Sequence, residues 1–323
     1  MTLVKKLRWA VLAAVPVLFI GAFFYWPLIK IFSHALGSEG IGDFKSLVFS
    51  GSFHQIAWFT AWQAFLSTVL TMVLALPAAY LMARYSFRGR RIFQVATTVP
   101  FVLPTVVVAG AFTALFERFG LDEGAFRLRH TVWALLAAHV FFNLAIAIRT
   151  VSSFWSGLDP RIEEQAKLLG ATPWLIFRKI TFPRLVPALT AASSIVFLFC
   201  LTSFGVILLL AGPTRATIET EIWRQAIWRG DIATASSLAV IQLVAVVVMV
   251  LLMNYLQRRQ AVVENRMDFV YEKAPRKLLA GNIFFLFIMI GLPIVVLFES
   301  SLKVGGSYSF QNFASLADRV TLV

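Results

Sequence analysis

Charge is scarce in this chain. Only 14% of its 323 residues are Asp, Glu, Lys or Arg, against roughly 25% in a soluble globular domain. Cysteine is scarcer still: Cys200 stands alone, which excludes an intrachain disulfide and any cysteine-based metal site. Histidine occurs four times. No Gly-x-x-x-x-Gly-Lys-Ser/Thr phosphate loop occurs, so the chain is not expected to hydrolyse ATP itself. What is abundant is apolar: 59% of residues are hydrophobic, with 31 Phe and 9 Trp. The mean hydropathy is +0.80. This composition excludes a disordered or fibrous chain and an ordinary soluble enzyme, and points to an all-α polytopic membrane protein.

A helix needs about 20 apolar residues to cross roughly 30 Å of hydrocarbon. Seven segments meet this: about 9–29, 57–83, 92–116, 131–148, 187–211, 235–256 and 279–298. The first is too long for a signal-peptide core and reads as a retained helix anchored by Lys5, Lys6 and Arg8. Pro77 is expected to bend the second span, and Pro100 and Pro104 to kink the third. No acid, Lys or Arg falls at mid-span; His139 alone is ionisable there. That argues against a proton-driven transporter, which needs intramembrane acids or clustered His.

The loops divide unequally. The N-terminus and 84–91, 149–186 and 257–278 hold 19 basic residues, and the opposite loops hold 10. The first set is therefore read as cytoplasmic, with the N-terminus inside. It carries six of the 16 acids, so the whole net charge of +13 lies on that face, towards anionic headgroups and any cytosolic partner. Nucleic-acid binding is not expected, because no soluble basic domain with interleaved aromatics exists to carry it.

The seventh span echoes the first. Pro27, Ile29, Phe32 and Leu36 correspond to Pro293, Val295, Phe298 and Leu302, an offset of 266 residues. The reading is one six-span half at 1–256, a linker at 257–278, and the first span and outer loop of a second, incomplete half at 279–323. The alternative is a complete seven-helix protein.

The most informative stretch is GLDPRIEEQAKLLGATPWLIFRKITFPRLVPAL, residues 157–189. Asp159 is a good helix cap with Pro160 at the first position. Gly170 is a C-terminal breaker. Thr172 and Pro173 begin a second short helix, which Pro183 is expected to end. From capping and periodicity alone, the pair could equally be an amphipathic element lying on the inner membrane surface. The segment 216–229 reads as an outer amphipathic helix anchored by Trp223 and Trp228.

The spacing Glu164, Ala166, Gly170, Ile180 and Pro183 resembles the "EAA" loop of binding-protein-dependent ABC importer permeases. Gln165 replaces the first alanine of that Glu-Ala-Ala pattern, and Phe182 the leucine before its proline. Segments 59–84, 137–149 and 199–223 resemble the fused thiamine and ferric-iron permeases. The resemblance implies a type I importer helix bundle in the bacterial cytoplasmic membrane, importing ferric iron, thiamine or another small solute. It implies two copies of a cytosolic ABC ATPase, which use ATP and Mg, and an extracytoplasmic solute-binding protein. This chain would bind no cofactor and no metal. In the loop, Glu164 and Gly170 would shape the ATPase docking surface, Ala166 would keep the helix slim, and Trp174 and Phe177 would pack on the ATPase or the membrane.

A translocation path is a weaker reading. Gln63, Ser67 and Thr71 share one helix face, as do His139 and Asn143, while Ser203 lies on the fifth span. The competing reading is that these polar groups join helices by hydrogen bonds. A seven-helix sensor or receptor without ATP coupling is the alternative function. A membrane-embedded enzyme ranks last, since no acid pair or Ser–His pair is evident.

Overall fold

The computed structural model describes residues 3–37, 40–124, 127–212, 214–259, 272–304, 307–311 and 313–315. Most of the linker (260–271) and the end of the outer loop (316–323) lie outside the described residues. Helix α1 (Leu3–Ile20) continues through a π turn (Gly21–Tyr25) into α2 (Trp26–Leu36). A short α3 (Gly40–Val48) leads to α4 (Gly51–Arg84). After a two-residue strand, β1 (Tyr85–Ser86), come α5 (Arg90–Val102), α6 (Thr105–Arg118) and α7 (Val132–Trp155). The loop helices are α8 (Arg161–Leu168) and α9 (Pro173–Ile176), and α9 runs through a π turn (Phe177–Thr181) into α10 (Phe182–Leu201). Then follow α11 (Gly205–Leu210), α12 (Ile218–Trp223) with a π turn (Arg224–Arg229), and α13 (Ile232–Arg259). Strand β2 (Glu272–Lys273) pairs parallel with β1, and α14 (Arg276–Leu286) passes through a π turn (Phe287–Gly291) into α15 (Leu292–Ser301).

Among the described residues, six helices are long and apolar enough to span a membrane. A seventh candidate is α5 with α6, a pair bent by 103°. The single third span expected at 92–116 is therefore broken rather than kinked. Pro104 is the cause. Its ring drives Leu103 into an extended conformation (φ −66°, ψ 137°), and it has no N–H to continue the ladder. Pro100 is buried inside α5, and α4 runs unbroken through Pro77.

Pro183 does not end its helix, contrary to expectation. The residue before it, Phe182, donates its N–H to Phe177, five residues back. This wider π turn absorbs the proline, and the helix continues to Leu201. The fifth span thus begins at Pro173, not 187, and ends at Leu201. The same device precedes Pro27 and Pro293: Trp26 donates to Gly21, and Leu292 to Phe287. These two π turns lie 266 residues apart, the offset of the sequence echo.

Two compact units emerge. One gathers Met1–Thr60 with Ala216–Val250, the other Ala61–Arg215 with Leu251–Val323. In the first, the 216–229 segment departs from a surface amphipathic helix. Its inward side carries Ile218 but also Thr220, Glu221 and Gln225, all buried, while Trp228 is exposed. Gln225 donates to Glu221 Oε1 (2.7 Å), and Arg224 pairs with Glu221 (3.0 Å), so the buried acid has a donor and a counter-charge. Nearby, Thr60 Oγ1 accepts from the Ile218 N–H (3.1 Å).

In the second unit, α7 is the most buried span. Thr131 caps it by accepting from the Ala134 N–H. Helices α5, α6, α10 and α11 pack on it, and α15 lies along α6. The two interrupted spans touch at their breaks: a Cβ on Gly205 would fall 2.4 Å from Thr105 Oγ1, so only glycine permits the approach.

Candidate functional site

The loop 157–183 is anchored at its base and bare at its tip. Asp159 Oδ1 accepts from the Arg161 N–H (2.9 Å), capping α8. Gly170 takes φ +83°, the left-handed conformation that turns the chain out of α8. Thr172 Oγ1 accepts from Leu175 N–H, and Pro173 opens α9. The two-helix architecture read from the sequence is present.

The residue that anchors the loop is one the motif passes over. Glu163 pairs with Arg84 at the end of α4 (3.0 Å) and also accepts from Thr181 Oγ1 (2.9 Å). Arg84 donates further to the Leu158 carbonyl (3.0 Å). Glu164, beside it, is exposed. Sequence spacing could not distinguish the two acids, because the partner lies 79 residues away. A second tie is aromatic. Trp174 stacks on Phe177, which neighbours Trp155, and Trp155 meets Tyr80 of α4. Ile180 is half-buried and Pro183 exposed.

The tip is apolar and uncovered. Leu168 and Leu169 are each 88% exposed, and Trp174 is 67% exposed. Ala166 is half-buried. Large apolar side chains presented together on a held element mark an interaction surface.

The residues nominated for a translocation path are in a different setting. Ser67 Oγ and His139 Nδ1 are 2.9 Å apart. Asn143 Nδ2 donates to the His139 carbonyl (2.9 Å) and reaches Cys200 Sγ (3.5 Å). Gln63 Nε2 donates to the Cys200 carbonyl (3.0 Å). Thr71 turns back on its own helix, donating to the Ser67 carbonyl (2.7 Å). Five of the six nominated residues are buried, and all of these but Thr71 tie α4, α7 and α10 together. Cys200, read only as a lone thiol, is the meeting point. Ser203 lies apart, half-buried in the break between α10 and α11. Among the described residues no group of three or more His, Cys, Asp or Glu is placed to hold a metal.

Known proteins resemble this chain in sequence and in fold. The chain is 31% identical over 209 residues to the sulfate transport system permease protein CysT of Escherichia coli (strain K12), covering 62% of this chain and 75% of that protein. It is equally identical, over 209 residues, to the thiamine transport system permease protein ThiP of Salmonella typhimurium, covering 39% of that protein. The chain thus spans about two fifths of the length of that thiamine permease. A solved bacterial ABC transporter involved in the import of the acidic polysaccharide alginate superposes with a TM-score of 0.62, covering 79% of this chain and 96% of that one. At 22% identity this likeness speaks for the fold alone. Residues 75–262 match the family described as binding-protein-dependent transport system inner membrane component, and the chain belongs to that family.

Proposed function

We propose that this chain carries a small solute inward across the cytoplasmic membrane, driven by a separate ATPase that seats on α8 and α9. The observation that carries this reading is the loop's construction. Leu168, Leu169 and Trp174 are exposed, while the Arg84–Glu163 pair and the aromatic series through Phe177 and Trp155 fasten the loop to the bundle. Such a lever passes a push on its tip to α4 and α10 as a rigid body. The ATPase, in two copies, would use ATP and Mg, and an outer solute-binding protein would deliver the solute. The surplus of basic residues supports a cytoplasmic N-terminus and a cytoplasmic loop.

Within the loop, Gly170 sets the angle between the two helices, Glu164 faces the ATPase and Ala166 keeps α8 narrow. Trp174 belongs to the docking face, while Phe177, Ile180 and Pro183 carry it into α10. We read Gln63, Ser67, Thr71, His139 and Asn143 as interhelical glue, because their hydrogen bonds run to neighbouring helices and their own backbone. The π turns before Pro27 and Pro293 support α14–α15 as a repeat of α1–α2. The sulfate and thiamine permeases it resembles support sulfate or thiamine as the solute.

Co-purification with the ATPase tests the coupling. Gly170→Val and Glu164→Lys are expected to lose the ATPase; capture equal to wild type by both variants would refute the docking assignment. Uptake of labelled thiamine, sulfate and ferric iron in a deletion strain identifies the solute. If none of the three depends on this chain, the substrate reading fails.

A further inference from the structure

A groove of about 560 Å³ runs between α5 and α14–α15. Ile92, Phe93 and Val99 form one wall, and Ile283, Phe287 and Ile290 the other. Along α5 from Arg90 to Val99 it covers about 14 Å at 1.5 Å per residue. That is close to one leaflet of a hydrocarbon core about 30 Å thick.

The groove's mouth differs from its length. Phe87 and Arg88 also line an adjoining pocket of about 640 Å³, whose other walls are Ser86, Lys273 and Ala274. The pairing of β1 with β2 sets Ser86 opposite Lys273. Arg88 and Lys273 are exposed, and neither side chain has an ion pair or hydrogen bond among the described residues. Among the described residues, then, two cations without an ion pair stand where the apolar slot opens, beside the exposed Glu272 and on the face holding the basic surplus.

We propose that this is a phospholipid site: Arg88 and Lys273 hold the phosphate of an anionic phospholipid, and its acyl chain lies in the groove between α5 and α14–α15. The charge pattern selects this occupant. A neutral apolar helix would satisfy the slot and leave both cations without a counter-charge, whereas an acidic lipid satisfies slot and mouth together. The site depends only on the chain lying in a membrane, not on the coupling or substrate readings.

The test uses the whole chain purified in mild detergent, with lipid retention read by native mass spectrometry. Phosphatidylglycerol is expected to stay bound and to raise the melting temperature, while phosphatidylcholine does neither. R88E/K273E is expected to lower phosphatidylglycerol retention ~tenfold or more. Ile290→Trp, which fills the slot without altering charge, is expected to lower it as well. Both variants must keep wild-type helix content by circular dichroism, and the cations' exposure makes that the expected result for R88E/K273E. Equal retention of the two lipids by the wild type, or undiminished phosphatidylglycerol on R88E/K273E, would overturn the proposal. So would a dimer mass with no lipid bound, which would assign the groove to a second copy.

Discussion

Two regions of the second unit invert the usual placement of side chains. Around Cys200, polar groups are packed inside: Gln63, Ser67, His139 and Asn143 are all buried. At the tip of the 157–183 loop, leucines and a tryptophan stand outside. The inversion follows from the solvent. Lipid tails are as apolar as leucine, so burying apolar surface does little to hold one span against another, and interhelical hydrogen bonds do more. By its share of the basic surplus the end of α8 is read as lying outside the lipid, where uncovered leucines are costly unless a partner covers them. A buried polar group here signals cohesion, and an exposed apolar one signals company.

The largest effect that separates the regions is on partner capture. Leu168→Asp combined with Leu169→Asp is expected to lower ATPase co-purification ~tenfold or more, equivalent to about 1.4 kcal/mol or more. The melting temperature should not move, since neither side chain packs on its own chain. An unchanged capture would break the comparison at its exposed end.

Next in size is the anchor between the regions. Arg84→Ala leaves Glu163 with only Thr181 and frees the Leu158 carbonyl. The pair is partly exposed, so the expected destabilisation is about 1–3 kcal/mol, below that of a fully buried pair. Thermal melting of the purified chain measures it, and Glu163→Gln in the same chain should recover part of the loss.

Smaller again is the polar cluster. Ser67→Ala removes the contact to His139 and should cost about 0.6–1.7 kcal/mol. ATPase capture should stay at the wild-type level. A loss of solute uptake with no loss of stability would instead make Ser67 part of the path, and would sharpen the comparison in the other direction.

The smallest expected effects are in the first unit and appear as pH dependence. Asp231 caps α13 by accepting from the Thr234 N–H, which holds its carboxyl below the usual aspartate range. Its folded pKa is lowered, so its contribution is present above the unfolded value and lost as pH falls through the folded one. Glu219 is shifted upward by burial, with the hydrogen bond from Gln242 opposing the shift. Its contribution has the opposite sign: it is present at low pH and lost as pH rises through the raised value. Asp231→Asn should flatten the acid limb of a melting curve against pH. Glu219→Gln should stabilise slightly at neutral pH and not at pH 4.

Much of this was legible before any coordinates. The loop's caps could be read because they are local: Asp159, Gly170 and Thr172 act on residues two or three positions away. Six spans could be placed because length and hydropathy suffice. Two prolines differ from their sequence reading: Pro104 breaks a span rather than kinking it, and Pro183 is accommodated by a π turn, because the outcome depends on whether the preceding turn can widen. The anchoring acid was missed for another reason. Glu163 and Glu164 are chemically identical neighbours, and only the position of Arg84 distinguishes them.

The sequence by itself determined that the chain lies in a membrane, which loops carry its charge, and where a capped two-helix loop interrupts the spans. These follow from composition and from interactions a few residues long. Only the tertiary structure decided that the polar face of α4 meets α7 and α10 at Cys200, and that Arg88 and Lys273 stand together at the mouth of a groove. Those meetings join residues tens to hundreds of positions apart, and the packing of helices, not their local chemistry, brings them together.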